Sequence, residues 1–328
     1  MSRRTRIGFI ALILVSKISF AAFAQGETLA ALQRSAAGFS SSIAQSLPLN
    51  AALGLNWSDA FIGRLFPGLP PSFGVGVSLG FTTIELDAMA ELAEHFGFGS
   101  LPNITRMPFP AYTAEARVGG LFLPFDVGLK FGILPEVGLG NIELDYLMVG
   151  VDIRYAVRDS RLLPISVGIG FNHLRGGIGG SVGSGRSFNF TDPETDAPLE
   201  IAITAPNVNF NWHTNTIDFR AQVSQSLLIF TPYLGIGVSH AWSRAGYDVN
   251  ATVTGPIDRV NAYLRYVGLD EMDLSNTGMS SQIDNNAWGV RLFGGASINL
   301  PMFRIDLTGL YSFRDGNYGV SIGFRFQL

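Results

Sequence analysis

The last eleven residues, "YGVSIGFRFQL" (Tyr318–Leu328), carry the most regular pattern in the chain. Every second residue is apolar, and the residues between them are Gly, Ser, Arg and Gln. The apolar set is Tyr318, Val320, Ile322, Phe324, Phe326 and Leu328. Successive side chains of a β-strand point to opposite faces, so this stretch predicts a strand with one apolar face and one small or polar face.

The same alternation runs from about residue 73 to the end and predicts ten strands, with a bulge in the fourth near Tyr146 and Leu147. Most span about ten residues, close to the ~9–11 that cross a bilayer when tilted. The fold expected is all-β: an antiparallel, transmembrane, up-and-down β-barrel of about ten strands, with eight to fourteen admissible. The predicted strands are residues 73–84, 112–123, 125–134, 142–157, 165–174, 216–227, 233–242, 288–298, 303–313 and 318–328.

The composition fits an apolar outer surface better than a soluble enzyme. The 328 residues are 47% hydrophobic but only 15% charged, against about 25% charged in soluble domains. Glycine (39) and phenylalanine (25) are both abundant. Because the chain has no cysteine, a disulfide framework, a thiolate metal site and a catalytic thiol are excluded.

The start of the chain predicts a cleaved secretory signal over residues 1–24. Arginines at positions 3, 4 and 6 precede a short apolar run at residues 7–15, and Ala22-Phe23-Ala24 forms a small-residue cleavage site. The remaining chain carries 18 basic and 26 acidic residues, a net charge of −8. A nucleic-acid partner is therefore not expected.

Predicted connections alternate between short turns and long outer loops. The loops at 175–215 and 243–287 are acidic, and "GGIGGSVGSG" (176–185) is interpreted as flexible. The acidic side chains could steer cations or bind calcium, or could simply be solvated. They are Asp192, Glu194, Asp196 and Glu200 in the first loop, and Asp248, Asp258, Asp270, Glu271, Asp273 and Asp284 in the second.

The final strand also carries a spaced set of residues: Ser321, Gly323, Phe326 and Leu328. In this spacing the chain resembles Gram-negative-type outer-membrane β-barrel proteins, whose last strand carries an assembly signal of that form. The resemblance implies location in the bacterial outer membrane, contact with outer-membrane lipid, and recognition by the barrel-assembly machinery. Small W-type barrels and fatty-acid transporters with an N-terminal plug are similar in outline only.

Residues 25–72 precede the barrel, which is predicted over 73–328, and differ from it in pattern. Residues 27–47 have helical spacing, and the following stretch is rich in Pro and Gly. This segment could be a plug inside the barrel, a periplasmic extension, or further strands. A second helix is predicted at 86–97.

Alternation also predicts which charged side chains face the lumen. They could line a narrow aqueous pore, or pair across strands and fill a closed barrel. They are Glu115, Arg117, Asp126, Lys130, Asp152, Arg154, Asp218, Arg220, Arg291, Arg304, Asp306 and Arg325.

The function predicted is a narrow pore or transport protein for small solutes. The alternatives are a structural or adhesin-like barrel acting through its acidic loops, and a plugged transporter of hydrophobic ligands. No enzymatic activity, metal or cofactor is expected. Ser239 and His240 are adjacent on one strand and so point apart, no G-x-S-x-G motif is present, and the histidines lack paired spacing.

Overall fold

A computed structural model describes residues 34–60, 62, 72–87, 105–120, 124–139, 142–158, 163–181, 185–191, 198–205, 207–266 and 278–327. Ten antiparallel strands close into one barrel, which confirms the fold expected from the sequence. In the described part of the chain, no helix is long and apolar enough to cross a membrane. The predicted signal sequence and most of the predicted helix at 86–97 lie outside these residues.

The strands and helices are numbered in chain order. The barrel consists of β1 (Ser72–Glu85), β2 (Arg106–Gly119), β3 (Phe125–Leu139), β4 (Ile142–Arg158), β5 (Ile165–Ser181), β8 (Asn207–Ser224), β9 (Phe230–Asn250), β11 (Gly278–Asn299), β12 (Phe303–Ser312) and β13 (Tyr318–Gln327). A small sheet outside the barrel contains β6 (Arg186–Thr191), β7 (Pro198–Ile203) and β10 (Val253–Thr254). Helix α1 spans residues 34–51, and α2 spans Ile257–Tyr266.

The first and last strands close the barrel. β1 pairs with β13 in antiparallel register, with Leu79 opposite Ile322. Closure matters because hydrocarbon offers no partner for an unpaired backbone N–H or C=O group. Within the C-terminal motif, Ser321 faces the lumen and Phe326 packs edge-on against Phe303, with ring centroids 5.6 Å apart. Leu328 lies outside the described residues.

The outer wall is apolar along the middle of the strands. Leu79, Leu129 and Leu307 each expose more than half of their side-chain surface, as expected of residues that face lipid. We call one end of the barrel the periplasmic end, because it carries short turns together with the start of β1 and the end of β13, as in other bacterial barrels. The opposite end is called the outer end.

Strand β8 shows that the polarity of the wall inverts toward the outer end. Near the periplasmic end its inward residues are polar, as at Asp218 and Arg220, while Phe219 faces lipid. Beyond Thr214 the inward residues are apolar, as at Phe210 and Trp212, and the asparagines between them point outward. The barrel wall therefore continues beyond the lipid with an apolar inner face.

This inversion corrects the predicted long loops. β5 continues to Ser181, so residues 176–181 of the glycine-rich stretch form strand, and β9 and β11 extend to Asn250 and Gly278. Alternation predicted these strands only where their apolar face pointed to lipid. Of the acidic loop residues, Glu200 lies in β7, Asp248 in β9, Asp258 in α2 and Asp284 in β11; the others lie outside the described residues.

A bulge was predicted in the fourth strand, β4, but the structure places it in the neighbouring strand β3. Leu134 pairs with Tyr146 and Val137 with Leu144, so the extra residue lies in β3 at positions 135–136. The apolar phase of β4 changes near Tyr146 because Tyr146 and Met148 point inward and are buried in the lumen.

The second predicted strand also ends too late, since β2 ends at Gly119 and Gly120 turns with a φ of 76°.

Ile322 is the middle lipid-facing residue of β13, so arginine there tests the membrane-spanning assignment. We expect Ile322→Arg to lower the free energy of unfolding by roughly 2–4 kcal/mol, as for arginine at a bilayer midplane. The control is Leu228→Arg, at a fully exposed turn position of the periplasmic end, with an expected loss of about 0–1 kcal/mol. Urea titration of the protein in lipid bilayers measures both. Equal losses would contradict the assignment.

Candidate functional site in the barrel lumen

The interior of the barrel contains part of the chain that precedes it. Residues 34–60 and 62, here called the lumenal segment, are mostly buried and contact inward-facing side chains of the strands. Phe39 packs edge-on against Phe210 near the outer end, with ring centroids 5.0 Å apart. The backbone N–H of Ile62 donates to Asp126 at 2.7 Å near the periplasmic end. The segment therefore runs down the lumen from the outer end to the periplasmic end.

Helix α1 fills the outer half of the lumen through apolar packing. Its side chains Phe39, Ile43 and Leu47 are at most 2% exposed. They join a group of buried wall residues, and we call the whole group the outer apolar cluster. Its main wall members are Ile84, Phe109, Tyr146, Met148, Leu174, Val208, Phe210, Trp212, Tyr247 and Val249. Burial of each large apolar side chain contributes about 1.5–3 kcal/mol, which makes this packing the main attachment of α1.

The twelve charged residues predicted to face the lumen lie together in its lower half. Eleven are buried, and Arg304 is half-buried. A cavity of about 10 Å³ lies among Lys130, Asp152 and Arg220, a volume close to that of one water molecule. Side chains and the lumenal segment thus occupy this region.

The charges form ion pairs between strands. Arg117 bridges Asp126 and Asp152, and Arg154 also binds Asp126 at 2.7 Å. Further pairs continue around the lumen: Arg220 with Asp152, Arg291 with Asp218, and Arg325 with Asp306. Buried charges are tolerated when they are paired and hydrogen-bonded in this way.

The lumenal segment completes this network. Asp59 adds a carboxylate that pairs with Arg304 at 2.7 Å and with Arg325 at 2.9 Å. The ammonium group of Lys130 donates to the backbone carbonyls of Ala51 and Leu53, at 2.7 and 2.5 Å. The wall has seven cations and only five carboxylates. The lumenal segment supplies the missing acceptors, namely the Asp59 carboxylate and the carbonyl oxygens that bind Lys130.

Trp57 is the largest side chain in the part of the lumenal segment that lies in the lower half of the lumen, and three charged groups contact it. Its indole N–H donates to Glu115 at 2.7 Å. The guanidinium carbons of Arg325 and Arg117 lie 4.6 and 5.5 Å from the ring centroid, within cation–π range. Sequence reasoning missed Asp59 and Trp57. The unequal count of lumenal charges was the one signal that further carboxylates were needed.

Strands β2 and β3 part over the outer half of the barrel wall. They are paired only between Ala114–Phe131 and Gly119–Asp126. Residues 106–113 and 132–139, all described, form no pairs with each other, although β2 remains paired with β1 and β3 with β4. Prolines 108, 110 and 135 lie on these two edges and have no N–H to donate.

Two tyrosines meet where the strands part. Tyr112 is on the outward face of β2 and Tyr146 on the inward face of β4, yet their ring centroids are 6.0 Å apart. Gly132 lies between them: a Cβ there would be 2.2 Å from the Tyr112 carbonyl oxygen and 3.2 Å from the Tyr146 ring. We call these three residues the β2–β3 window.

The window lies between the lipid-facing wall and the outer apolar cluster. Tyr112 is opposite Leu79, which is exposed on the outer wall, while Tyr146 belongs to the cluster. Behind the window, the Tyr146 hydroxyl and the Trp212 indole N–H are buried and make no hydrogen bond within the described part of the chain. Leaving such donors unpaired costs about 1–3 kcal/mol each, so they mark a place suited to a ligand with an acceptor group.

The histidines contribute nothing to the lumen in the described structure. His173, His213 and His240 point outward, whereas Ser239 points inward, so Ser239 and His240 diverge as the alternation requires. His95 lies outside the described residues, which include no group of three or more potential metal-binding side chains.

Comparison with known proteins shows one matching family. The model of a family of unknown function (DUF6588) matches residues 73–328. No curated protein matches the chain.

Solved structures with the same architecture include bacterial outer-membrane barrels of different roles. The outer membrane protease OmpT from Escherichia coli is 12% identical over 79% of this chain and 98% of its own, with a TM-score of 0.42. The translocator domain of autotransporter NalP from Neisseria meningitidis is 8% identical over 88% and 98%, with a TM-score of 0.39. The attachment invasion locus protein Ail of Yersinia pestis is 9% identical over 79% and 97%, with a TM-score of 0.24. These similarities concern the barrel fold alone.

Asp126 accepts bonds from two wall arginines and from the lumenal segment, so Asp126→Asn tests the network. Removing one partner of a buried ion pair costs about 3–5 kcal/mol, and we expect a loss of unfolding free energy in that range. The matched control is Asp284→Asn, whose exposed pair with Arg244 should contribute little. Urea unfolding measures stability, and limited proteolysis detects release of the segment. Equal stability of the two variants would contradict the role of the network.

Proposed function

The chain belongs to the family of unknown function DUF6588, and we propose that it acts in the bacterial outer membrane as a transport protein for hydrophobic molecules with a polar end. The observation that carries the proposal is the β2–β3 window, which lies between the lipid-facing wall and the outer apolar cluster. In hydrocarbon, unpaired backbone groups cost several kcal/mol each. A wall that leaves β2 and β3 unpaired at this depth bears a cost that a route for ligands would explain.

The chemistry behind the window defines the ligand class. The outer apolar cluster suits an alkyl or aryl body. The Tyr146 hydroxyl and the Trp212 indole N–H can donate to a carboxylate, carbonyl or hydroxyl oxygen on such a ligand. Fatty acids and aromatic acids combine both features.

The occupied lumen favours this function over a narrow pore for small solutes. The lower charges bind one another and the lumenal segment, as the Asp59 and Lys130 contacts show. Such charges have few free donors or acceptors for passing ions. A ligand that enters laterally needs only the apolar half of the lumen to rearrange, because packing there is less directional than the ion pairs below.

Binding of dansyl-undecanoate, whose emission rises in apolar sites, tests the window. We expect Tyr146→Phe to weaken binding about 2- to 10-fold, the equivalent of one net hydrogen bond. Gly132→Ala should abolish binding, because its methyl group would press against the Tyr112 carbonyl oxygen and the Tyr146 ring. The control Tyr155→Phe removes a hydroxyl from the lipid-facing side of the same strand and should leave the affinity unchanged. Fluorescence titration of the refolded protein in detergent gives the dissociation constants. Unchanged affinity in Tyr146→Phe and Gly132→Ala would refute the window.

A disulfide tests whether passage into the periplasm needs the lower segment to move. The hydroxyl oxygens of Ser58 and Ser297 are 2.7 Å apart, and the chain has no cysteine, so Ser58→Cys with Ser297→Cys should join the segment to β11. We expect the oxidised variant to bind the fatty-acid probe normally but to lose uptake into cells, and a reductant to restore uptake. Each single cysteine variant serves as control. Uptake that persists in the oxidised variant would exclude passage through the lower lumen.

A further inference from the structure

A row of basic residues crosses the outward face of three neighbouring strands. Arg175 on β5 is opposite His213 on β8, which is opposite Arg244 on β9. Adjacent strands are about 4.8 Å apart, so the two arginines are separated by roughly 10 Å with the histidine between them. All three side chains are exposed. We call them the basic row.

The basic row has free donors. Arg244 binds Asp284 through Nε and Nη2, and its Nη1 has no bond within the described residues. Arg175 has no hydrogen bond or ion pair there. The row therefore retains a net positive charge after the contribution of Asp284 is counted.

An aromatic belt lies directly below the row, toward the middle of the membrane. The His240 ring packs against those of Trp242 and Trp288, with centroids 4.4 and 4.9 Å away. Below the belt, Phe219 and Val238 face lipid. Tryptophan in this position marks the boundary between hydrocarbon and headgroups, so the basic row lies at headgroup level.

The sign of the surface reverses just beyond the row. Asp145, next to Arg175 across β4 and β5, lies one outward position further out, and Glu143 and Asp248 lie beyond it. One such step is two residues, about 7 Å along a strand. An anion is therefore attracted to one narrow level, immediately above the aromatic belt.

We propose that Arg175, His213 and Arg244 form a binding site for the phosphate group of a phosphorylated lipid in the outer leaflet. The two arginines supply charge-assisted hydrogen bonds to the phosphate oxygens, His213 adds a donor between them, and the belt below packs against the acyl chains. A lipid is the occupant, rather than a free anion, because the site adjoins the apolar wall and the acidic positions above it repel soluble anions. The site is on the outer wall and is independent of the β2–β3 window.

The test uses the full chain in nanodiscs of phosphatidylcholine that contain a small fraction of phosphatidic acid, whose headgroup is a phosphate monoester. Native mass spectrometry counts the phosphatidic acid retained by the protein. We expect Arg175→Gln with Arg244→Gln to lower its affinity at least tenfold, since each arginine–phosphate contact contributes strongly. The matched control is Arg158→Gln, at an exposed position near the periplasmic end, which should retain the affinity of the unmodified protein.

Each outcome decides the proposal. Retention that is equal in the double variant and the unmodified protein would overturn it, and so would an equal loss in Arg158→Gln, which would indicate general attraction to any interfacial arginine. Displacement of the lipid by inorganic phosphate would replace the lipid site with a simple anion site. Heat-modifiable mobility on gels confirms that each variant is folded. Since the substitutions are exposed, we expect folding to be unchanged.

Discussion

The structure depends on one electrostatic constraint: charges buried inside the barrel need partners. Asp126 shows the constraint most clearly, because its carboxylate is shared by Arg117, Arg154 and the backbone N–H of Ile62. The same group thus joins two strands to each other and both to the lumenal segment. With seven cations and five carboxylates on the wall, the segment is an electrostatic component of the barrel. Asp59 and the carbonyl groups that bind Lys130 complete the set.

The polarity of the wall divides the molecule into two levels. In the membrane, apolar side chains face lipid and charged ones face the lumen. Toward the outer end the arrangement reverses, and the apolar inner face packs against α1. The two halves of the lumen therefore hold the segment by different means, directional ion pairs below and non-directional packing above. We therefore expect conformational change to cost less in the upper half, next to the β2–β3 window.

The outer wall and the lumen each present a feature that closure of a barrel alone would not require. The outer halves of β2 and β3 are not paired with each other, and the basic row places positive charge directly above an aromatic belt. We propose that the first serves molecules that dissolve in the membrane and that the second binds the lipids that form it. On both proposals, the ligands come from the membrane rather than from the aqueous phase.

The sequence by itself determined the barrel, its ten strands and the inward positions of its charges, because alternation in a strand is a local property of the chain. It could not determine which charges pair, since Arg117 and Asp152 are on different strands and meet only through register. It also left the place of residues 25–72 open, because Trp57 and Asp59 find their partners up to 268 positions further along the chain. The β2–β3 window could not be predicted from the sequence for the same reason, because its residues meet only in the folded protein. Tyr112 and Tyr146 belong to opposite faces of the wall, and only the parting of two strands at Gly132 brings them together.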